Sequence, residues 1–202
     1  MEKARIIKHL KKDKVLAPII TEADFPEVTI NENLYASLIE AIISQQLSVS
    51  AARTIYTRFL ALFNNKIPSG KTLCRADNEL LRTAGVSNQK AGYLKNIALF
   101  EQENSLDYHD LKHLDDEGLI LYLTQIKGVG RWTSEMILMF NLNRLNILPL
   151  DDLGIQNAMK KLYKLDGEGR TLKSSMLACA APWDPYKTIA CKYLWRWKDR
   201  RG

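Results

Sequence analysis

The sequence predicts an all-α fold of about ten short helices joined by tight loops. Apolar residues recur three and four positions apart along most of the chain. No stretch combines a sustained two-residue alternation with a hairpin turn, as a pair of β-strands would. The chain has 202 residues, which is enough for one compact domain or for two small lobes that share a core.

The helical segments follow one another in order along the chain. The apolar faces of the first three are Leu34-Leu38-Ile39-Ile42, Ile55-Phe59-Leu60-Phe63 and Tyr93-Leu94-Ile97-Leu99. Two more helices are predicted on either side of residues 127–130, and another is predicted to begin near residue 153. The β-branched runs Val28 to Ile30 and Asn146 to Leu148 are interpreted as connections. Because no long linker interrupts the chain, a second lobe must be built from its two ends.

The charge balance indicates a polyanionic partner. The formal net charge is +6 and the isoelectric point is about 9.2, so the surface should attract nucleic acid. No apolar run approaches the ~20 residues of a membrane span, and the charged N-terminus is unlike a signal peptide. We therefore expect no membrane association, and a location in the cytoplasm of a bacterium or the nucleus of a eukaryote. Three cysteines cannot supply the four thiolates of a usual iron-sulfur cluster.

The most informative stretch runs from Leu123 to Phe140, where one helix ends in Gly-Val-Gly and another begins at once. Glycines at 128 and 130 permit a sharp turn and the close approach of a partner. The N–H groups at the start of the second helix would favour an anion such as a DNA phosphate. Lys127 and Arg131 flank this point. A plain turn between two helices is the alternative interpretation.

Several spaced segments resemble one family. They are this hairpin, an aspartate about twenty residues downstream in LPLDDLGIQNAM, Ala41 to Ser48 with Ala51 and Ala52, Gly85 to Ser87 with Lys90, and the tail from Trp183. Together they resemble the DNA-3-methyladenine glycosylase II family of the helix-hairpin-helix DNA glycosylase superfamily, over nearly the whole chain from about Leu34. The resemblance implies two helical lobes, a helix-hairpin-helix motif and a cleft between the lobes. Residues 34–144 would form a central lobe carrying the hairpin, and residues 1–33 and 145–202 a second lobe made by both termini.

The resemblance also implies an activity. The chain would be a monofunctional DNA glycosylase that flips an alkylated purine of the 3-methyladenine type out of the duplex and hydrolyses its N-glycosidic bond in base excision repair. Its partner would be double-stranded DNA with alkylated bases, and we expect a monomer. No cofactor is implied, except that the hairpin of this superfamily often holds Na⁺ or K⁺ through backbone carbonyls.

Asp152 is the catalytic candidate. Breaking the bond between a purine and deoxyribose develops positive charge on the sugar, which a carboxylate can stabilise. Either Asp151 or Asp152 could instead cap the helix that follows. The family comparison favours Asp152 as the catalytic residue.

Two tryptophans and a methionine are the candidates for the base pocket. A cationic alkylated base favours electron-rich aromatic faces, and by resemblance Trp132 and Trp195 line the lesion pocket. The family's usual tyrosine is replaced here by Met136. Bifunctional members carry a lysine where this chain has Trp132, and an indole cannot act as that nucleophile. Trp195 could also be ordinary core, as could Trp183 and Trp197.

The remaining candidates concern DNA binding. By resemblance Gln46 fills the gap left by the flipped base, with Leu47 or Ser48 as alternatives. Lys90 is either a phosphate contact or a solvated side chain. The full predicted DNA-binding set is Lys127, Gly128, Gly130, Arg131, Thr133, Lys90, Gln46, Leu47 and Ser48.

Three alternatives and one metal question stay open at this point. The chain could be a glycosylase for another damaged or mismatched base, a non-catalytic helix-hairpin-helix DNA-binding protein, or an unrelated basic helical protein. His109 and His113 stand four residues apart, but no third ligand accompanies them at a convincing spacing, so we expect no metal site.

Overall fold

A computed structural model describes residues 2–26 and 30–200 of the chain. Within these ranges it contains twelve α-helices, two short 3-10 helices and no β-strand, which confirms the predicted all-α fold. Among these described residues, β-type pairing is limited to an isolated antiparallel bridge between Asn33 and Asp107. Of the predicted connection from Val28 to Ile30, only Ile30 lies inside the described residues, and it is irregular.

The α-helices are short, and five of the twelve have fewer than ten residues. In chain order they are α1 (Glu2–Leu10), α2 (Leu34–Ser44), α3 (Val49–Ala61), α4 (Gly70–Arg75), α5 (Asn78–Thr83), α6 (Asn88–Glu103), α7 (Tyr108–Leu111), α8 (Asp116–Thr124), α9 (Arg131–Phe140), α10 (Leu153–Tyr163), α11 (Gly169–Ala180) and α12 (Lys187–Asp199). The 3-10 helices are Ala17–Ile19 and Ala181–Trp183.

The chain divides into two compact units. One unit contains residues 30–137, and the other contains residues 1–29 and 138–202, so it is formed by both ends of the chain. The sequence-based division, with a central lobe of 34–144, stays a prediction.

In the unit of residues 30–137, helix α6 is the central element. It packs against α2, α4 and α5, and α2 also packs against α3. Most of the predicted apolar positions contribute to this core, and Leu38, Ile42, Phe59, Leu94 and Ile97 are fully buried. Their spacing of three and four residues places each set on one helix face. Leu99 was wrongly predicted on the apolar face of its helix, since it is 52% exposed.

In the unit formed by both ends, α12 packs against α10 and α10 against α11. Trp183 is fully buried, and its indole N–H donates to Asp13 over 2.8 Å. Trp183 therefore belongs to the core, as the alternative interpretation predicted for it.

Capping side chains explain where many helices begin. In each of eight helices the residue before the first turn accepts a hydrogen bond from a backbone N–H of that turn. These residues are Asn33, Ser48, Ser69, Asp77, Ser87, Asp107, Asp115 and Asp152. Across the part of the chain that the structure describes, no helix is long and apolar enough to cross a bilayer.

Candidate active site and nucleic-acid interface

The hairpin between α8 and α9 is a tight turn built on Gly128. Gly128 has a φ of +104°, which residues other than glycine rarely adopt. An added Cβ would also lie 2.3 Å from the ring of Tyr93, so there is no room for a side chain. Ile126 and Val129 are buried on the inner side of the turn. Asn96 donates to the carbonyl of Lys127 over 3.0 Å. Two residues of α6, Tyr93 and Asn96, therefore support the turn.

Gly130, two residues later, is a glycine for a different reason. A Cβ at this position would meet no atom within 4 Å, and the residue is exposed at the start of α9. The carbonyl of Gly130 accepts from the N–H of Ser134 over 3.0 Å, which begins the helix. The first turn of a helix presents N–H groups that suit an anion. The missing side chain thus leaves room for a partner to approach this end of α9.

The guanidinium of Arg131 is half exposed, but its N–H groups are paired with two carboxylates. It donates to both carboxylate oxygens of Glu117 over 2.7 and 2.6 Å, and its Nε donates to Glu135 over 3.1 Å. These hydrogen bonds hold the pKa of Glu117 below its ordinary value. Lys127, by contrast, has an exposed side chain. A phosphate contact at Arg131 stays a prediction, and in this geometry it would be made by the backbone.

Asp152 is the N-cap of α10, as the structural alternative proposed. Its Oδ1 accepts from the N–H of Ile155 over 2.8 Å and from the indole N–H of Trp195 over 2.9 Å. The residue is half-buried. Asp151 is exposed, and its carboxylate pairs with the ammonium of Lys173. The two aspartates therefore have different partners, a lysine for Asp151 and a tryptophan for Asp152. The catalytic role of Asp152 stays a prediction.

Gly154 is a residue of this site that sequence reasoning missed. An added Cβ would lie 2.9 Å from Oδ1 of Asp152 and 2.9 Å from Nε1 of Trp195. Glycine is thus what lets the indole reach the carboxylate. A glycine in the first turn of a helix, two residues after a capping aspartate, was the available signal.

Trp195 also lines a cavity of about 260 Å³ together with Pro26, Phe140, Lys192 and Arg196. Its ring lies 5.5 Å from that of Phe140, centroid to centroid. The ammonium of Lys192 sits 4.9 Å from the Phe140 centroid, and the lysine is only 7% exposed. Burial lowers the pKa of Lys192, and the charge of Arg196 adds to the effect. Neither Phe140 nor Lys192 was singled out from the sequence.

Trp132 and Met136 lie four residues apart on α9 and so share one face of that helix. Trp132 is 40% exposed, and Met136 is half-buried. Trp197 is half-buried, with the ammonium of Lys161 5.9 Å from its ring. Trp132 is therefore not part of the buried core, and its place in the base pocket stays a prediction.

The segment Gln45–Ser48, which we call the wedge loop, connects α2 to α3. Gln46 has a φ of +59°, a rare conformation for a residue other than glycine. Gln46, Leu47 and Ser48 are all exposed, and Ser48 caps α3. Lys90 donates to carbonyls of this region rather than extending into solvent. Thr133 is buried and accepts from the side chain of Gln45.

The two histidines considered as metal ligands are both exposed. His109 lies in α7 and His113 in the turn after it. Among residues 2–26 and 30–200, no group of three or more histidine, cysteine or acidic side chains is arranged to hold a metal ion.

Comparisons with known proteins find a matching family and similar chains. Residues 39–185 match the HhH-GPD superfamily of base excision DNA repair proteins. The chain is 40% identical over 167 residues to DNA-3-methyladenine glycosylase 1 of Schizosaccharomyces pombe, covering 80% of this chain and 71% of that protein.

Two solved structures are similar throughout. A DNA-3-methyladenine glycosidase from Bacillus halodurans superposes with a TM-score of 0.81 at 35% identity, over 98% of this chain and 89% of the other. A 3-methyladenine DNA glycosylase of Schizosaccharomyces pombe in complex with abasic DNA has a TM-score of 0.81 at 34% identity, over 95% of both chains.

Proposed function

The chain belongs to the HhH-GPD superfamily of base excision DNA repair proteins, and from that premise we propose that it is a monofunctional DNA glycosylase that releases alkylated purines of the 3-methyladenine type. The observation that carries the proposal is the hydrogen bond from the Trp195 indole to the Asp152 carboxylate. It joins an aromatic side chain suited to a base and an acid suited to a sugar cation. The named relatives act on the same class of lesion.

The proposed chemistry needs a fixed negative charge. An alkylated purine is already cationic and leaves readily, so the enzyme chiefly has to stabilise the oxocarbenium-like sugar. Two donors fix the Oδ1 atom of Asp152, which holds the orientation of the carboxylate without a large rearrangement. The same carboxylate can orient or deprotonate the attacking water.

The DNA partner would be held at the hairpin. Gly130 and the first turn of α9 offer space and N–H donors to a phosphate, and Lys127 adds an exposed positive charge. Gln46 would enter the gap left by the flipped base. We propose a monomer acting on double-stranded DNA.

The decisive experiment is mass spectrometry of bases released from methylated DNA, with Asp152→Asn as the paired variant. Wild type should release 3-methyladenine or 7-methylguanine, and Asp152→Asn should release neither while still binding DNA. Asp151→Asn is the matched control and should keep most of the activity. Base release by Asp152→Asn at the wild-type rate would remove Asp152 from the chemistry.

The monofunctional character is tested separately. Because Trp132 occupies the position of the nucleophilic lysine in bifunctional members, no Schiff base should form there. Borohydride treatment should trap no covalent adduct with abasic DNA, and the product should be an unbroken abasic strand. Lys192 is a buried lysine beside Trp195, so Lys192→Met identifies its source if an adduct is found.

One observation favours a second candidate, a glycosylase for a neutral damaged base. The Lys192 ammonium packs on Phe140 beside Trp195, and a cation near a stacking surface disfavours a cationic base. Excision rates for 7-methylguanine and for hypoxanthine should be compared in wild type and Lys192→Met. A preference for hypoxanthine that Lys192→Met reverses would support the second candidate, and unchanged ratios would reject it.

A further inference from the structure

The wedge loop has a backbone that needs external support. Helix α2 ends at Ser44, and the chain then passes through Gln45 with extended angles and Gln46 with a left-handed φ of +59°. Within the loop the N–H of Leu47 donates to the carbonyl of Ser44 over 3.2 Å. A left-handed glutamine persists only where its surroundings fix it.

Lys90 supplies part of that support. Its Nζ donates to the carbonyl of Ile43 over 2.7 Å and to that of Gln45 over 2.8 Å. Carbonyls at the C-terminal end of a helix lack donors from the next turn, and a cation there is favourable. Burial lowers the pKa of Lys90, so the ammonium is partly removed from water at this place.

A second contact ties the same loop to the hairpin helix. The side-chain amide of Gln45 donates to the hydroxyl of Thr133 over 3.2 Å. Thr133 lies in the first turn of α9 and is only 4% exposed. The loop is thus attached to α6 through Lys90 and to α9 through Thr133.

Helix α6 carries the hairpin as well. Tyr93 packs under Gly128, and Asn96 donates to the carbonyl of Lys127 over 3.0 Å. Lys90, Tyr93 and Asn96 are spaced by three residues, so they follow one side of α6 over successive turns. One side of a single helix therefore supports both the wedge loop and the turn proposed to bind phosphate.

We infer that Lys90 is a positioning residue, whose ammonium fixes the wedge loop at a set distance from the hairpin through the Ile43 and Gln45 carbonyls. This inference rests on the proposed function, because it assigns the loop the task of filling the gap left by a flipped base. A backbone phosphate held at the hairpin would then place the damaged base opposite Gln46. The inference replaces both earlier interpretations of Lys90, the phosphate contact and the solvated side chain.

The test separates duplex opening from chemistry. Single-turnover excision is measured on two duplexes with the same lesion, one fully paired and one with a tetrahydrofuran abasic analogue opposite the lesion. Because the second duplex has no base pair to break, it depends less on the loop. The excision rate of Lys90→Met should fall about tenfold or more on the paired duplex, because two charge-assisted hydrogen bonds are lost. On the duplex with the abasic analogue, the rate should fall by less than about threefold. Lys90→Arg should restore most of the loss.

A ratio of two rates from one preparation does not depend on how much of the variant is folded. Lys71→Met is the matched control, because Lys71 is exposed on α4, which packs near Ala98 and Glu101 at the other end of α6. It should leave both rates unchanged. Equal losses of Lys90→Met on the two duplexes, or no loss on either, would overturn the inference.

Two further readouts distinguish this inference from its rivals. A phosphate contact at Lys90 predicts that the salt dependence of DNA binding weakens by about one unit of slope in Lys90→Met, whereas a positioning role leaves the slope unchanged. Fluorescence of 2-aminopurine opposite a tetrahydrofuran site reports loop insertion without catalysis. It should rise on binding wild type and rise less with Lys90→Met. If wild type released no base but this difference persisted, the proposed function would fail and the positioning role would stand.

Discussion

Asp152 and Trp195 meet because residue 154 has no side chain. Oδ1 of Asp152 and Nε1 of Trp195 would each lie 2.9 Å from a Cβ at this position. The φ of Gly154 is not in the left-handed region, so space alone explains the glycine. At the scale of single residues, the contact between Asp152 and Trp195 therefore requires glycine at position 154, because a Cβ there would collide with both side chains.

Gly154→Ala should lower the single-turnover excision rate by about tenfold or more, because a small displacement of a reacting group is costly. Helix propensity acts in the opposite direction and favours alanine by up to about 1 kcal/mol. Excision rates and thermal denaturation measure the two effects on the same variant. Gly92→Ala is the control, since its Cβ meets nothing within 4 Å on α6, and it should stabilise the fold at full activity. Wild-type excision by Gly154→Ala would contradict the packing argument.

The two hairpin glycines should respond differently to alanine. Gly130→Ala should weaken DNA binding by about tenfold through crowding of a phosphate contact and leave the melting temperature nearly unchanged. Gly128→Ala should destabilise the fold by about 2 kcal/mol or more, because its positive φ and the Tyr93 ring both oppose a side chain. Fluorescence anisotropy with an abasic duplex and chemical denaturation check the pair. Tight binding by Gly130→Ala would show that no partner approaches this point.

At the scale of elements, the start of α9 is joined to the first turn of α8 by Arg131 and Glu117. The guanidinium makes two parallel hydrogen bonds to the carboxylate, and a third reaches Glu135. Both side chains of the first pair are about half exposed, 50% and 54%. Such a pair contributes little to stability, but it places a negative charge beside the proposed phosphate site.

Glu117→Gln should therefore strengthen DNA binding. The substitution removes one negative charge beside the start of α9 and weakens the pairing of Arg131. The affinity for DNA should therefore improve by roughly fivefold, and its salt dependence should become steeper. Stability should fall by less than about 1 kcal/mol. Glu79→Gln is the control, because Glu79 also pairs with an arginine, Arg82, through a single contact of 3.1 Å between exposed side chains on α5. Weaker binding by Glu117→Gln would indicate that the pair instead holds the hairpin in its binding geometry.

At the scale of the whole molecule, one unit joins the two ends of the chain. Asp13 accepts hydrogen bonds from the hydroxyl of Tyr163 over 2.6 Å and from the indole of Trp183 over 2.8 Å. The same carboxylate caps its own turn through the N–H groups of Val15 and Leu16. Burial raises the pKa of Asp13, but these four hydrogen bonds outweigh it and the pKa is lowered.

Asp13→Asn should destabilise the fold by about 2 kcal/mol at neutral pH, where charged hydrogen bonds are lost. A lowered folded-state pKa means that the carboxylate contributes its full stability above the ordinary value of 3.8 and loses it as the pH falls below. Urea unfolding of both proteins from neutral pH down to about pH 3 should show the difference narrowing in acid. If the difference in the free energy of unfolding between the two proteins stayed constant with pH, the charge of Asp13 would not be the cause of the stabilisation.

Much of this organisation could be predicted from the sequence. The helical spacing of Leu38, Ile42 and Leu94 predicted an all-α core, because residues three and four apart always share a helix face. The glycines of the hairpin predicted a sharp turn, because few other residues adopt its backbone angles. The aspartate before α10 predicted a helix start, and the spaced motifs predicted the family. Each of these signals lies within one short segment, or is a set of motifs in a fixed order along the sequence.

The partner of each polar side chain was decided only by the tertiary structure. Lys90 meets carbonyls 47 and 45 residues away, and Trp195 meets Asp152 across 43 residues. The pairing of Arg131 with Glu117 had no signal in the sequence, and of the four tryptophans only Trp183 is fully buried. The physical reason is that a helix fixes the direction of a side chain relative to its own axis. Which group lies in that direction depends on how other helices pack, and the periodicity of one segment carries no information about that.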